Sequence, residues 1–164
     1  MIAQVVGIDP GLVHTGVVRM LFSTSAKRLI VEHEAVVGTD AVAVKSWIVD
    51  PGHITSRTDV FIEKYVPRMK LSSDERMVKF EQDLRRALPK AKLLPNMGVK
   101  RVVPQPLMEV LGVWKFPTST HHQDLRSAAR IALYGMMKDP ELNGVLAATV
   151  RDHLNGRTWA VEEA

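Results

Sequence analysis

Three apolar runs rich in β-branched residues occupy positions 2–8, 15–22 and 29–37, and the gaps between them hold mostly turn-forming residues. Few arrangements accommodate such a pattern, because consecutive strands joined by short connections pair with their neighbours as an antiparallel meander. Asp9-Pro10-Gly11 closes the first run, and the polar stretch Ser23-Thr24-Ser25-Ala26-Lys27-Arg28 closes the second. Both stretches carry residues whose backbone preferences favour turns. A sheet is therefore committed in the first quarter of the chain, and the later segments must cover it.

Beyond residue 37 the chain alternates between helix and strand patterns. Residues 40–49 put Val42, Val44, Trp47 and Ile48 on one broad helical face, and the Pro51-Gly52 break precedes a short apolar strand at 59–63 that ends on Glu63. Ser72 and Glu75 have capping-box spacing, and Met77, Phe80, Leu84 and Leu88 then recur at helical intervals until Pro89. The pattern predicts a further strand at 100–104, a helical turn or two at 106–111 and a loop at 112–120. From His121 onward, Leu125, Ala128, Ala129, Ala132, Leu133 and Met136 form the stripe of a helix with one buried face. A last helix begins after Asp139-Pro140, runs to Leu154 and stops at Asn155-Gly156 before a short tail. The expected fold class is α/β, a mixed sheet of about five strands, an antiparallel three-stranded meander plus parallel strands, flanked by helices. All 164 residues fit one domain.

Composition narrows the chemistry. The chain has no cysteine, which removes disulfide frameworks, thiolate zinc sites and cysteine nucleophiles together. Lysine and arginine number 22 against 18 acids, for a net charge of +4, a balance that suits an anionic partner. No stretch reaches the roughly 18 unbroken apolar residues of a membrane span, and the start lacks the order of a secretory signal, so a soluble cytoplasmic protein is expected.

Asp9 and Glu63 each end an apolar strand, where a carboxylate lies at the end of a sheet. Asp124 borders the apolar stripe of its helix, and His121 falls inside that stripe. Each has an ordinary explanation: Asp-Pro-Gly is common turn chemistry, and an acid in a first helical turn gains about 0.3–1 kcal/mol from the macrodipole. An unpaired buried carboxylate costs several kcal/mol, however, so such groups take a hydrogen-bonding partner, a cation or a metal. Three of them meeting at one sheet edge would repel one another unless divalent cations intervened, and oxygen ligands without sulfur favour Mg2+ or Mn2+.

These segments resemble a known family. Gly7-Ile8-Asp9-Pro10-Gly11 with Thr15-Gly16 resembles the first-strand signature of RuvC-like Holliday junction resolvases, within the RNase H-like superfamily. Val60-Phe61-Ile62-Glu63 resembles their second catalytic strand, and the segment from His121 to Ala129 is similar to their C-terminal catalytic helix. The resemblance covers most of the chain and implies an RNase H-like fold in a bacterial or bacteriophage-encoded protein. It also implies a structure-selective endonuclease acting on branched DNA, with Asp9, Glu63 and Asp124 holding two Mg2+ or Mn2+ ions for in-line phosphodiester hydrolysis. The fourth active-site position falls to His121, paired with Asp124, or else to Ser127. The family works as a homodimer, and residues 73–88 are the segment expected nearest that interface.

Lys64, Arg68 and Lys70 come directly after Glu63, and Arg126 and Arg130 stand one turn apart on the last catalytic helix. These five cations are placed to grip phosphates or are ordinary solvated charge, as are Lys90, Lys92, Lys100 and Arg101. Trp114 and Phe116, in the loop before that helix, either stack on unpaired bases or anchor the loop. Two other functions fit parts of the pattern: a catalytically silent module that binds branched DNA, and an actin-like nucleotide-binding fragment, which normally needs a much longer chain.

Overall fold

Val5, Val6 and Ile8 are all fully buried although they sit on one strand, so the sheet is covered on both faces. The computed structural model describes residues 2–49, 58–69, 71–156 and 159–163. Strands β1 (Ile2–Asp9), β2 (His14–Ser23) and β3 (Arg28–Val37) form the expected antiparallel meander, with Asp9 opposite Gly16 and Thr15 opposite Val36. Strand β4 (Thr58–Glu63) lies parallel to the free side of β1, with Ile8 opposite Ile62. The sheet has six strands in the order β5-β4-β1-β2-β3-β6, one more than the sequence pattern suggests.

Both strands that the pattern does not reveal are short and lie at the sheet edges. Strand β5 (Lys92–Leu94) pairs parallel with β4, and β6 (Ala160–Glu163) pairs parallel with β3, where a short tail was expected. Trp159, 4% exposed, belongs to the core just before β6. Three or four residues contain too little alternation to register as a strand, and only the partner makes them one.

Helix α1 (Ala41–Ile48) starts at Asp40, whose carboxylate accepts from the Val42 and Ala43 backbone N–H groups at 3.0 and 2.9 Å. With α2 (Leu71–Ala87) it covers one face, packing Val44, Ile48, Phe80 and Leu84 with Val6, Ile8, Val17 and Ile62. The other face lies under α5 (His122–Lys138), joined by α3 (Val99–Val102), α4 (Gln105–Val110) and α6 (Pro140–Leu154). There Leu125, Ala128, Ala132 and Met136 meet Val5, Val18, Met20 and Phe61.

Two local expectations are corrected. The strand at 100–104 is instead the end of a helical turn: Gly98, at φ +77°, opens α3, and the Val103 N–H bonds back to the Val99 carbonyl at 2.8 Å. Val99 and Val103 are buried while Val102 is 48% exposed, a period of four rather than two. Ser72 does not cap α2 from outside, because the helix already includes Leu71. The Pro51-Gly52 break lies outside the described residues. Among the described residues no helix is long and apolar enough to cross a membrane.

Candidate functional site

Alternation along each strand decides which face its side chains take. On β1, Val5 joins the core under α5 whereas Val6 and Ile8 join the opposite core, so Gly7 and Asp9 belong to the α5 face. On β4, Phe61 lies under α5 and Ile62 does not, which gives Glu63 the same face as Asp9. On β2, Val18 and Met20 lie under α5, and Gly16 and His14 continue their row.

The helix lies against bare backbone here. A Cβ on Gly7 would come 1.9 Å from the Ala128 carbonyl oxygen, and one on Gly16 would come 2.4 Å from that of Asp124. Because Gly16 is the register partner of Asp9, this close approach delivers Asp124 to the end of β1. Carboxylates from β1, β4 and α5 are thus brought to one end of the sheet, Glu63 sharing a hydrogen bond with Asp9 and Asp124 lying near enough for its charge to act on Asp9.

Their electrostatics reflect that crowding. The Asp9 carboxyl is pushed up to about 8, first by burial, then by the charge of Glu63 and next by that of Asp124, against a hydrogen bond from Ser127. Glu63 is also raised by burial, and is held back by hydrogen bonds from Asn96 and Asp9 and by the charge of Lys100. Protonated Asp9 therefore donates to Glu63, and the Asn96 amide donates to the Oε1 of the same carboxylate. The strain on ionised Asp9 is what a divalent cation relieves, and the all-oxygen donor set suits a hard one.

His121 is the N-cap of α5 rather than part of its buried stripe; its backbone N–H is held by the Ser119 hydroxyl at 3.0 Å. Its Nδ1 lies 3.9 Å from an Asp124 carboxylate oxygen, and its ring centroid is 4.0 Å from that of His14. The two candidates for a fourth position thus separate: His121 stands with Asp124, and Ser127 with Asp9.

Beside Asp9 and Glu63 opens a cleft of about 490 Å³ lined by Lys64, Tyr65, Arg68, Asn96 and Lys100. Lys64 and Arg68 are exposed there, on a segment tied to α2: the backbone N–H groups of Tyr65 and Arg68 donate to Glu81 at 2.8 Å and Asp74 at 3.1 Å. Lys70 lies outside the described residues. Arg130 departs from its expected solvent-facing position: it is buried, and its Nε donates to the Val103 carbonyl at 3.1 Å. Arg126 donates to the Trp114 carbonyl at 2.6 Å and covers the Trp114 ring at 4.1 Å. Trp114 is half-buried against the core and Phe116 is 1% exposed, so of the two readings Phe116 takes loop anchoring, and the Trp114 ring already carries a guanidinium on one face. Of the second basic group, Lys100 lines the cleft, whereas Lys92 pairs with Asp139 at 3.7 Å.

Sequence reasoning missed His14 and Asn96. The first was accessible, since it lies two positions before Gly16 on the face that carries the acids. Asn96 carried no signal, standing in a turn after a three-residue strand.

Neither a protein-family profile nor a curated protein sequence matches the chain. Among solved structures it resembles Thermus thermophilus RuvC in complex with a Holliday junction substrate, with a TM-score of 0.57 and 16% identity over 81% of this chain and 90% of that one. A second Thermus thermophilus RuvC structure gives a TM-score of 0.54 and 17% identity, covering 84% of this chain and 97% of that one. The architecture is that of the RuvC-like RNase H fold.

Proposed function

We propose that this chain is a divalent-metal-dependent endonuclease that cuts branched DNA, with the four-way junction as its substrate. The observation that carries the reading is the gathering of Asp9, Glu63 and Asp124 from three separate elements, where burial first, then the charge of Glu63 and next that of Asp124 push the Asp9 carboxyl up to about 8. A fold shared with a protein solved in complex with a Holliday junction substrate supports the choice of DNA structure.

In this reading Asp9, Glu63 and Asp124 hold two Mg2+ or Mn2+ ions. When bound, such ions supply an activated water and stabilise the leaving oxygen of the phosphodiester. Asp9 is central because it touches both Glu63 and Ser127 and feels the charge of Asp124. Asn96 fixes the rotamer of Glu63, and His121, beside Asp124, is placed to take a proton from the attacking water. Lys64, Arg68 and Lys100 line the approach with positive charge suited to the phosphates that flank the cut. A homodimer, with the segment 73–88 at its interface, would present two such centres to opposite strands.

The test is a synthetic four-way junction incubated with the purified chain and Mg2+. Paired nicks near the crossover, abolished by EDTA and absent in Asp9→Asn while junction binding persists, are expected. No cleavage in either Mg2+ or Mn2+, or unchanged turnover in Asp9→Asn, overturns the reading.

A further inference from the structure

We propose that Asp74 of α2 is the positioning residue of the DNA grip: its buried carboxylate holds the segment 64–69 in the shape that presents Lys64 and Arg68 to the phosphates beside the cut. The proposal rests on the nuclease reading only for the identity of the ligand, since the clamp itself is built into the chain.

Residues 64–69 lead from the end of β4 toward α2 and form neither helix nor strand, yet their backbone is tied at several points. The Lys64 N–H donates to the Leu94 carbonyl of β5 at 2.8 Å, and the Tyr65 N–H donates to Glu81 of α2 at 2.8 Å. The Arg68 N–H is shared between the two carboxylate oxygens of Asp74, each at 3.1 Å. Asp74 also accepts from the Tyr65 hydroxyl, so one carboxylate joins two points of the segment. Between them Pro67 fixes its own φ and disfavours a helical turn at Val66. Met69 follows at φ +61° and is 94% exposed. A residue other than glycine holds the left-handed region only where its surroundings require it, and the bond from Arg68 to Asp74 spans this residue.

The clamped segment has little to do with the core. Lys64, Val66, Pro67, Arg68 and Met69 are exposed, and none of the side chains of 64–69 belongs to either hydrophobic cluster. Asp74, by contrast, is 8% exposed. A buried carboxylate is costly unless its oxygens are satisfied, and both oxygens here accept from a segment that lines the cleft together with Asp9 and Glu63. The benefit lies in ordering. A loose segment would lose backbone freedom whenever phosphates drew Lys64 and Arg68 into place, and charge-assisted bonds made beforehand remove that loss. Asp74 thus raises affinity without touching DNA.

The experiment measures junction binding and Mg2+-dependent cleavage by the full chain. Asp74→Ala should weaken binding on the order of tenfold and keep turnover at saturating junction within about twofold. The slope of log affinity against log salt should match that of the wild type, because the same cations reach the same phosphates. Asp74→Asn keeps an acceptor for the Arg68 N–H and should recover most of the loss. In a chain lacking both cations, Lys64→Ala with Arg68→Ala, the further change Asp74→Ala should alter affinity by less than about twofold, whereas a carboxylate that merely stabilises the fold would show its whole effect again. Amide hydrogen exchange in the wild type gives a reading independent of how the variants fold: the Arg68 N–H should exchange slower than in an unstructured chain by about tenfold or more. An unprotected Arg68 amide, full additivity in the chain without both cations, or a loss in turnover instead of affinity each overturns the proposal. If Asp74→Ala weakens binding as expected in a chain that never cuts, the nuclease reading alone falls; if the chain cuts and Asp74→Ala binds as tightly as the wild type, the positioning role alone falls.

Discussion

Replacing Asp9 by asparagine should stabilise the metal-free protein while abolishing its activity. The Asp9 carboxyl, ordinarily at 3.8, is raised to about 8 in the fold, and each unit of such a shift corresponds to about 1.36 kcal/mol. A carboxyl raised on folding favours the folded state in its protonated form, so stability falls as pH climbs from 3.8 through 8. At pH 7 the unfolded chain has released this proton and the folded one largely keeps it, which sets a ceiling of about 4 kcal/mol on the cost, rising to about 6 above pH 8. Asparagine removes the charge yet keeps both neighbours satisfied, its amide donating to Glu63 and its oxygen accepting from Ser127. In a domain of this size the gain at pH 7 corresponds to about 10 °C in Tm. Thermal unfolding in EDTA, followed by circular dichroism from pH 4 to pH 8, should show the variants converging near pH 4, where the difference is about half a kcal/mol. Mg2+ should return the wild type toward the Asn variant at pH 7. Equal melting at pH 7 in chelator, or a gap that persists undiminished at pH 4, would refute the crowding of Asp9.

Four other substitutions have expected outcomes. Gly16→Ala should lower stability by about 1–3 kcal/mol through collision with α5 and raise the Mg2+ needed for half-maximal cleavage, a requirement measured by metal titration at fixed junction. Arg130→Ala should destabilise the fold by about 1–3 kcal/mol without altering the salt dependence of junction binding, whereas Lys64→Ala should leave Tm unchanged and reduce the slope of log affinity against log salt by about one. Asn96→Ala should weaken apparent Mg2+ affinity by about tenfold, read by isothermal titration with Ca2+ in place of Mg2+ to prevent turnover.

Much of the fold was legible because local pattern and final environment agree. The meander strands are long enough to show alternation or continuous burial, and the stripe from Leu125 to Met136 is the buried face of α5. Where pattern and environment diverge, a partner decided the outcome. Val102 and Val103 have strand propensity, yet Gly98 in a left-handed conformation starts a helical turn and burial selects Val99 with Val103. Lys92–Leu94 and Ala160–Glu163 are strands only because β4 and β3 offer free edges. The three acids were visible as strand-ending or stripe-bordering carboxylates, since each marks where an element leaves the core. Arg130 misled because a helical wheel assigns long cations to solvent, whereas its stem is buried and its head reaches the Val103 carbonyl.

The glycine seam between β1, β2 and α5 has a mechanical consequence. Where Gly7 and Gly16 leave no side chain between strand and helix, the spacing from Asp9 to Asp124 is set by main-chain van der Waals radii. One jaw of the metal grip is therefore fixed. Glu63, held by side-chain hydrogen bonds from Asn96 and Asp9 rather than by a main-chain contact, is the movable jaw, and variation in ion size or substrate shape must be absorbed there.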